Sequence, residues 1–382
     1  MHCASRVRRS LAILGQGVQR RRIAKAQPSH ITPRKSTDCV RTSKKAAPTR
    51  QAVPTVKDVA RAAGVSSATV SRTLNGKSTV QPLLRQRVLS VVERLGYRPN
   101  AIARGLRKGQ GNVVALLVGD IRQGHFSDLT MQVQTALEGI GLDLLLFNVG
   151  HSTERMGHFL DRALAMQLRG VISAVSDMLP AALASQLRAL QSAGSLVRSI
   201  SQDLTGHGIA SIVQEERSCV FRSVRYLLDS GRSRIAYVGR MRSSWVGRER
   251  YRGYLAANRV AVRQDETLVL GYAYRYAGGY DSVARAIDRG VRFDGLQTAS
   301  DELAAGAIAA LSDRGFRVPE DVAIVGFGDI EPSAYLRPAL TTWSSHADLV
   351  AERLCDAFSS KSPESGAGLT LLPRHLIRRS SA

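Results

Sequence analysis

One stretch, Thr55 to Asn75 (TVKDVARAAGVSSATVSRTLN), restricts what this chain can fold into more than any other. Thr55 and Asp58 form a T-x-x-D capping box, in which a hydroxyl and a carboxylate satisfy the free amides of a first helical turn. Val56, Val59, Ala60 and Ala63 then recur at helical spacing and give one narrow apolar face. Gly64 can end that helix in a left-handed conformation, and Ser66 can cap a second one, so the turn between them is short. In the second helix Val70 and Leu74 point inward, leaving Ser67, Ala68, Thr69, Ser71, Arg72 and Asn75 to project elsewhere. Small, uncharged side chains with one arginine suit a surface that enters a major groove about 12 Å wide. The pattern predicts a helix-turn-helix that reads DNA; the bland alternative is an ordinary helical hairpin.

Asn75-Gly76-Lys77-Ser78 follows as a loop, and Pro82 opens a third helix with Val88, Leu89, Val91, Val92 and Leu95 on its apolar side and Gly96 at its end. Residues 98–107 (RPNAIARGLR) then read as a short helix of small residues, too marginal to fold without a partner. The run DVARAAGVSSATVSRTLNG, with RVLSVVERLGYRPNAIARGLR after it, closely resembles the DNA-binding head and hinge of the LacI (lactose/galactose-repressor) family. That resemblance implies DNA contacts at Thr55, Ser66, Ser67, Ala68, Thr69, Ser71, Arg72, Asn75, Tyr97, Asn100 and Arg104. It assigns Leu106 to a wedge inserted in the minor groove at a central base step, where unstacking permits a bent site. The alternative for Leu106 is a simple linker contact. Arg72 is the candidate for a bidentate guanine contact.

Charge separates the chain into parts. Residues 1–54 hold 13 Lys/Arg against one acid, residues 55–108 hold 11 against two, and residues 109–382 hold 30 against 28, within a net charge of +23. Positive charge thus gathers where phosphate contacts would lie. The expected organisation is a disordered basic extension (1–54), a helix-turn-helix domain (55–98), a hinge helix and linker (99–111) and an effector-binding, dimerising domain (112–382). The first segment reads as a basic tail that adds non-specific DNA affinity, or as an extension preceding the natural start. Its Arg-rich, acid-poor composition also resembles a mitochondrial transit peptide, although the body that follows points to a bacterial protein.

From Asn112 onward, short apolar runs alternate with helical segments. Strands are expected at 113–118, 142–147, 170–175 and 195–200, and in a second series at 234–239, 267–272, 295–300 and 322–327. Strand and helix alternating twice over predict two doubly wound parallel-sheet lobes. Ligands of such sheets bind at the carboxyl ends of the strands, so the cleft between lobes is the expected site. LLVGDIRQGHFSDL, SGRSRIAYVG, GFRVPEDVAIVGFGDIEPSAYLRPALTTW and LLPRHLIRRSSA resemble the family's periplasmic-binding-protein-like effector domain. The resemblance implies cleft roles for Asp120, His125, Phe126, Arg250, Tyr274, Ser300, Asp301 and Asp329, with Arg250 bonding ligand hydroxyls or carboxylates and Tyr274 stacking on a sugar face. No leucine heptad follows the final strand, so a homodimer is expected rather than a tetramer.

The chain also departs from the family. Gly326-Phe327-Gly328-Asp329 stands where Gly-Phe/Tyr-Asp-Asp is common, Ser300 replaces a frequent Asn, and Val213-Gln214-Glu215-Glu216 replaces V-D-N-x. The lost carboxylate, with Arg240, Arg242, Arg248 and Arg250 nearby, shifts the expected effector from a neutral hexose toward a sugar acid or other carboxylate.

An enzymatic reading finds no G-x-S-x-G elbow, no G-x-x-x-x-G-K-[ST], no H-E-x-x-H and no G-x-G-x-x-G opening a helix. Neither a cofactor nor a metal is expected: Cys3, Cys39, Cys219 and Cys355 show no C-x-x-C spacing. They suggest a reducing compartment, and no run approaches the 18 apolar residues of a membrane span. The expectation is a cytoplasmic, nucleoid-associated, dimeric repressor of carbohydrate or sugar-acid genes that binds palindromic double-stranded DNA under control of a small molecule. The runner-up is a transport-receptor-like sugar binder with a degenerate head, or a degenerate dehydrogenase-like enzyme.

Overall fold

The computed structural model describes residues 54–74, 80–97, 111–260, 268–271, 275–359 and 368–382. The basic extension, Asn75, the hinge with Asn100, Arg104 and Leu106, and Tyr274 lie outside the described residues.

The head is three helices, α1 (Val56–Ala63), α2 (Ser67–Leu74) and α3 (Pro82–Arg94). The capping box forms as its sequence requires: Thr55 N donates to Asp58 Oδ2 at 2.9 Å, and Asp58 N donates to Thr55 Oγ1 at 3.4 Å. Gly64 closes α1 at φ 62° and ψ 41°, and Val65 N returns to the Ala60 carbonyl at 3.0 Å. A side chain at Gly64 would be strained in that conformation, so the glycine fixes the angle at which α2 leaves the turn. Val59, Ala60, Ala63, Val70, Val88 and Val91 form the buried core. Thr73, three positions after Val70, is buried too, whereas Leu74 is only half-buried.

The body has two lobes. The first contains β1 (Val113–Val118), α4 (Gly124–Gly139), β2 (Asp143–Asn148), α5 (Thr153–Met166), β3 (Gly170–Ala174), α6 (Ala181–Ser192), β4 (Leu196–Ser199) and β5 (Ser211–Gln214). Its sheet is parallel, in the order β11-β5-β4-β3-β1-β2, where β11 (Leu369–Leu372) returns from far along the chain to the edge. Alternation along β1 explains the two covering layers. Val114, Leu116 and Val118 pack under α4 and α11 (Ala347–Ser359), while Ala115 and Leu117 pack under α5 and α6. A strand buried on both faces reads as the continuous apolar run VVALLV, as parallel sheets require.

The second lobe contains α7 (Glu216–Asp229), β6 (Ile235–Val238), α8 (Trp245–Val260), β7 (Val269–Gly271), α9 (Arg275–Asp288), β8 (Gly295–Thr298), α10 (Asp301–Ser312) and β9 (Ala323–Val325). Its parallel sheet has the order β7-β6-β8-β9. A short antiparallel pair, β10 (Thr342–Trp343) with β12 (Leu376–Ile377), completes it. In each lobe the first strand has neighbours reached by opposite windings, β1 between β2 and β3 and β6 between β7 and β8, and such switch points open a crevice at the strand ends.

The chain crosses between lobes three times, at Gln214 to Glu216, at Ser344 to His346 and at Pro373 to His375. Strands β5, β10 and β11 were not among those expected from the sequence; β12 falls in the tail that resembles the family's final strand, and the eight remaining strands lie within about two residues of expectation. Among the described residues, no helix is long and apolar enough to cross a membrane.

Candidate functional site

In the head, α2 presents Ser67, Ala68 and Arg72 to solvent, with Thr69 and Ser71 partly exposed on the same side. Ser66 Oγ accepts from Thr69 N at 3.1 Å and caps the helix that carries this face. The Thr55 hydroxyl donates to Asp58 Oδ2 at 2.6 Å, and Tyr97 packs half-buried against the core. Thr55, Ser66 and Tyr97 therefore help hold the head together, while Ser67, Ala68 and Arg72 are exposed. Lys57, Arg61, Arg87 and Arg94 are also exposed on this small domain.

In the body, the strand ends converge on a cavity between the lobes that is open in part to solvent. The first lobe supplies His125 and Phe126 from the start of α4, where the chain turns out of β1. The second supplies Arg250 from α8, Ser300 and Asp301 from the β8–α10 junction, and Phe327 and Gly328 after β9. The lobes are closed on each other here. Met178 N donates to the Ser243 carbonyl at 2.9 Å, Trp245 N to that of Ser176 at 2.8 Å, and Gly124 N to Glu302 Oε1 at 3.1 Å.

The dominant electrostatic feature is a buried triad. Glu216 accepts from Arg250 Nε at 2.6 Å and from Arg374 Nη2 at 2.9 Å. Burial works to raise the Glu216 pKa, but the two guanidinium groups outweigh it and hold the carboxyl below its ordinary value. Arg250 also reaches the Ala299 carbonyl and lies 3.9 Å over the Phe327 ring; Arg374 lies 4.7 Å from the same ring. Both contacts use the flat, weakly hydrated guanidinium face that lysine lacks.

Of the residues expected in the cleft, His125, Phe126, Arg250, Ser300 and Asp301 line the cavity. Asp120 and Asp329 are not among the lining residues, and each is paired with an arginine. Asp120 is clasped by Arg122, with Nη2 at 2.8 Å from its Oδ2 and Nε at 3.0 Å from its Oδ1, which holds its pKa down. Asp329 pairs with Arg379 at 2.7 Å. In each case an arginine engages the carboxylate, from two residues on for Asp120 and from 50 residues on for Asp329. Asp301 reaches the wall but is 2% exposed, accepting from Thr342 Oγ1 at 2.5 Å, Ser333 Oγ at 2.8 Å and Ile330 N at 3.0 Å. It fastens the loop after β9 to the head of α10, and burial nevertheless raises its pKa. Ser300 caps α10 through Leu303 N at 3.3 Å.

Sequence reasoning missed Gln214, Glu216, Arg275 and Arg374 as wall residues. Glu216 stood in a segment noted as unusual, and Arg374 in the final-strand motif, but nothing in their spacing brought together two residues 158 positions apart. Arg240, grouped with neighbouring arginines, does line the wall, bonded 2.6 Å from Asp177 of the other lobe. Burial works against ionisation of Asp177, yet His151 and Arg240 together keep its pKa low.

Burial lowers the His125 pKa from 6.5 to about 4, with the like charges of Arg374 and Arg250 adding to the effect. The unfolded chain takes up this proton below about pH 6.5 and the folded chain only near pH 4, so stability falls as pH drops through that window and is level above it. His125→Gln is expected to flatten that part of the profile in denaturant melts run as a pH series.

Two family descriptions match this chain: "Bacterial regulatory proteins, lacI family" over residues 55–100 and "Periplasmic binding protein-like domain" over residues 224–382. Catabolite control protein A of Priestia megaterium is 32% identical over 292 residues, which is 75% of this chain and 86% of that protein. The transcriptional regulator GalR of Escherichia coli (strain K12) is 31% identical over 289 residues, 75% of this chain and 83% of GalR. Among solved structures, the lac repressor dimer bound to operator and the anti-inducer ONPF matches the fold with a TM-score of 0.74 at 24% identity, over 86% of this chain and 98% of that one. The CelR–cellobiose complex matches with a TM-score of 0.63 at 26% identity, over 86% of this chain and all (100%) of CelR. Sequence similarity of this depth, over a helix-turn-helix head and a two-lobed body, shows that the chain belongs to the LacI family of bacterial regulatory proteins, repressors that bind DNA and are not enzymes.

Proposed function

We propose that this repressor reads inverted half-sites as a homodimer through the exposed face of α2, and that a small polar molecule in the interlobe cavity controls the binding. The observation that carries the reading is the pairing, in one chain, of a capped helix that presents Ser67, Ala68 and Arg72 to solvent with a cavity between two lobes elsewhere. Ser67, Ala68, Thr69, Ser71 and Arg72 are the reading surface, with Arg72 on a guanine and Thr55, Ser66 and Tyr97 holding the head in register with the phosphates. Asn75, Asn100, Arg104 and Leu106 carry the rest of the interface on the family resemblance. His125, Phe126, Arg250 and Ser300 contact the effector. A solved relative holds cellobiose and another is a dimer on its operator, which supports a carbohydrate-like effector and paired heads here. Such a protein works where the chromosome is, in the bacterial cytoplasm.

Selection of bound duplexes from a random pool, using the full chain at a stated salt concentration, tests this reading. Enrichment of a palindrome of about 14 to 20 base pairs with a flexible central pyrimidine-purine step is the expected result. Recovery of no common sequence would count against it. Arg72→Ala is expected to cost roughly 1–3 kcal/mol on the selected site and to relax preference at one base pair. Competition titrations against single-base variants of the site measure both, and an unchanged footprint argues against base reading by Arg72.

A further inference from the structure

Arg374 comes from the third interlobe crossover and is 4% exposed. Its Nη2 bonds Glu216 Oε1 at 2.9 Å and also Gln214 Oε1, and its Nη1 bonds the Ser344 carbonyl at 2.5 Å. Its Nε is buried with no hydrogen-bond partner among the described residues, and the side chain forms part of the cavity wall. A buried donor left unmade is costly, by about 1–3 kcal/mol and more for a charged group. The triad's own charges do not balance either. Arg250 and Arg374 share the single carboxylate of Glu216, so the three side chains together carry one positive charge.

The acids that could serve a neutral sugar are already engaged. Recognition of sugar hydroxyls needs free acceptors. Glu216 is held by two arginines, Asp301 by two hydroxyls and an amide, and Glu302 by Gly124 N and, at 3.7 Å, by Arg275. Gly328, which lines the wall beside Asp301, adds no side chain at all. His125 stays neutral at ordinary pH next to the two arginines, so it supplies no competing charge.

We propose that the cavity takes an organic acid, whose carboxylate sits against the Arg374–Glu216–Arg250 triad and accepts a hydrogen bond from Arg374 Nε–H, and that Arg374 sets the preference for acid over neutral ligand. The proposal rests on the reading of the cleft as the effector site. The carboxylate neutralises the excess charge and completes the hydrogen bonding of a buried guanidinium, and charge-assisted bonds of this kind are about twice as strong as neutral ones.

Calorimetry on the full chain with matched pairs tests it: D-gluconate against D-glucitol, D-glucuronate against D-glucose, and D-galacturonate against D-galactose. At least one acid is expected to bind ten-fold or more tightly than its neutral partner. Arg374→Gln is expected to remove that preference by weakening the acid and leaving the neutral partner unchanged, and Arg374→Lys to restore part of it. A neutral partner binding as tightly as its acid, no binding by any acid in the panel, or an acid affinity unaltered by Arg374→Gln would each overturn the proposal. The wild-type comparison decides the ligand class even where a variant does not fold. Failure of the underlying reading looks different: an acid binds with the stated preference, yet affinity for the selected duplex does not change.

Discussion

Replacing Glu216 by alanine is expected to destabilise the protein by about 3–5 kcal/mol, the range seen when one member of a buried ion network is removed and the others stay behind. Glu216 is 5% exposed and accepts from both Arg250 and Arg374, so its loss leaves two cations facing each other across a space that water reaches poorly. Glu216→Gln is expected to cost less, because an amide oxygen still accepts one of the bonds. The double variant Glu216→Ala with Arg374→Met is expected to recover much of the loss, since it removes a cation together with its partner. Denaturant unfolding of the three variants at pH 7 measures these differences; a deficit below about 1 kcal/mol in Glu216→Ala would show that the site relaxes or hydrates. The depressed pKa adds a pH signature. The contribution is complete above the ordinary glutamate value of 4.5 and is lost as pH falls below it, a slope that Glu216→Gln should lack.

The second large effect is expected at Gly306, in α10 where it crosses α9. A methyl group there would lie 1.9 Å from the Tyr276 carbonyl oxygen and 2.8 Å from Tyr280 N. The contact is reciprocal, because a methyl group on Gly279 of α9 would lie 2.1 Å from the Leu303 carbonyl oxygen. Backbone on backbone has no rotamer to yield, so the helices must part. Alanine favours a helix over glycine by up to about 1 kcal/mol, which is too little to offset the overlap. Gly306→Ala is expected to destabilise by a net amount of about 3 kcal/mol. Because α9 begins at Arg275 and α10 carries Glu302, both on the cavity wall, effector affinity should fall as well. Thermal melts and calorimetry check the two parts separately, and a variant as stable as the parent would mean that the crossing is looser than it looks.

Much of this architecture was legible in the residues, and the exceptions have physical causes. VVALLV was readable as β1 because a strand covered on both faces is apolar throughout. The turn at Gly64 and the caps at Thr55 and Ser66 were readable because their chemistry is local. Strands β5 and β11 escaped because they are defined by each other: β11 is mostly exposed, and they form through pairing of Leu369 with Ser211, a contact no short window contains. The cleft divides in the same way. Arg250 and Ser300 follow recognisable segments, whereas Glu216 and Arg374 meet only because the chain returns to the same crossing twice. For Asp329 the pairing arginine becomes evident only in space, because Arg379 lies 50 residues on, whereas Arg122 stands two residues from Asp120.

The bonds of Arg374 have a mechanical meaning as well. Three separate ribbons joining two bodies would ordinarily allow both bending and twisting. One guanidinium binds Glu216 and Gln214 on the first ribbon and Ser344 on the second, and is itself rooted in the third. The three are gathered into a single pin, so the lobes swing about one axis and have little freedom to shear past each other. A molecule between them can then change little except the angle of that swing.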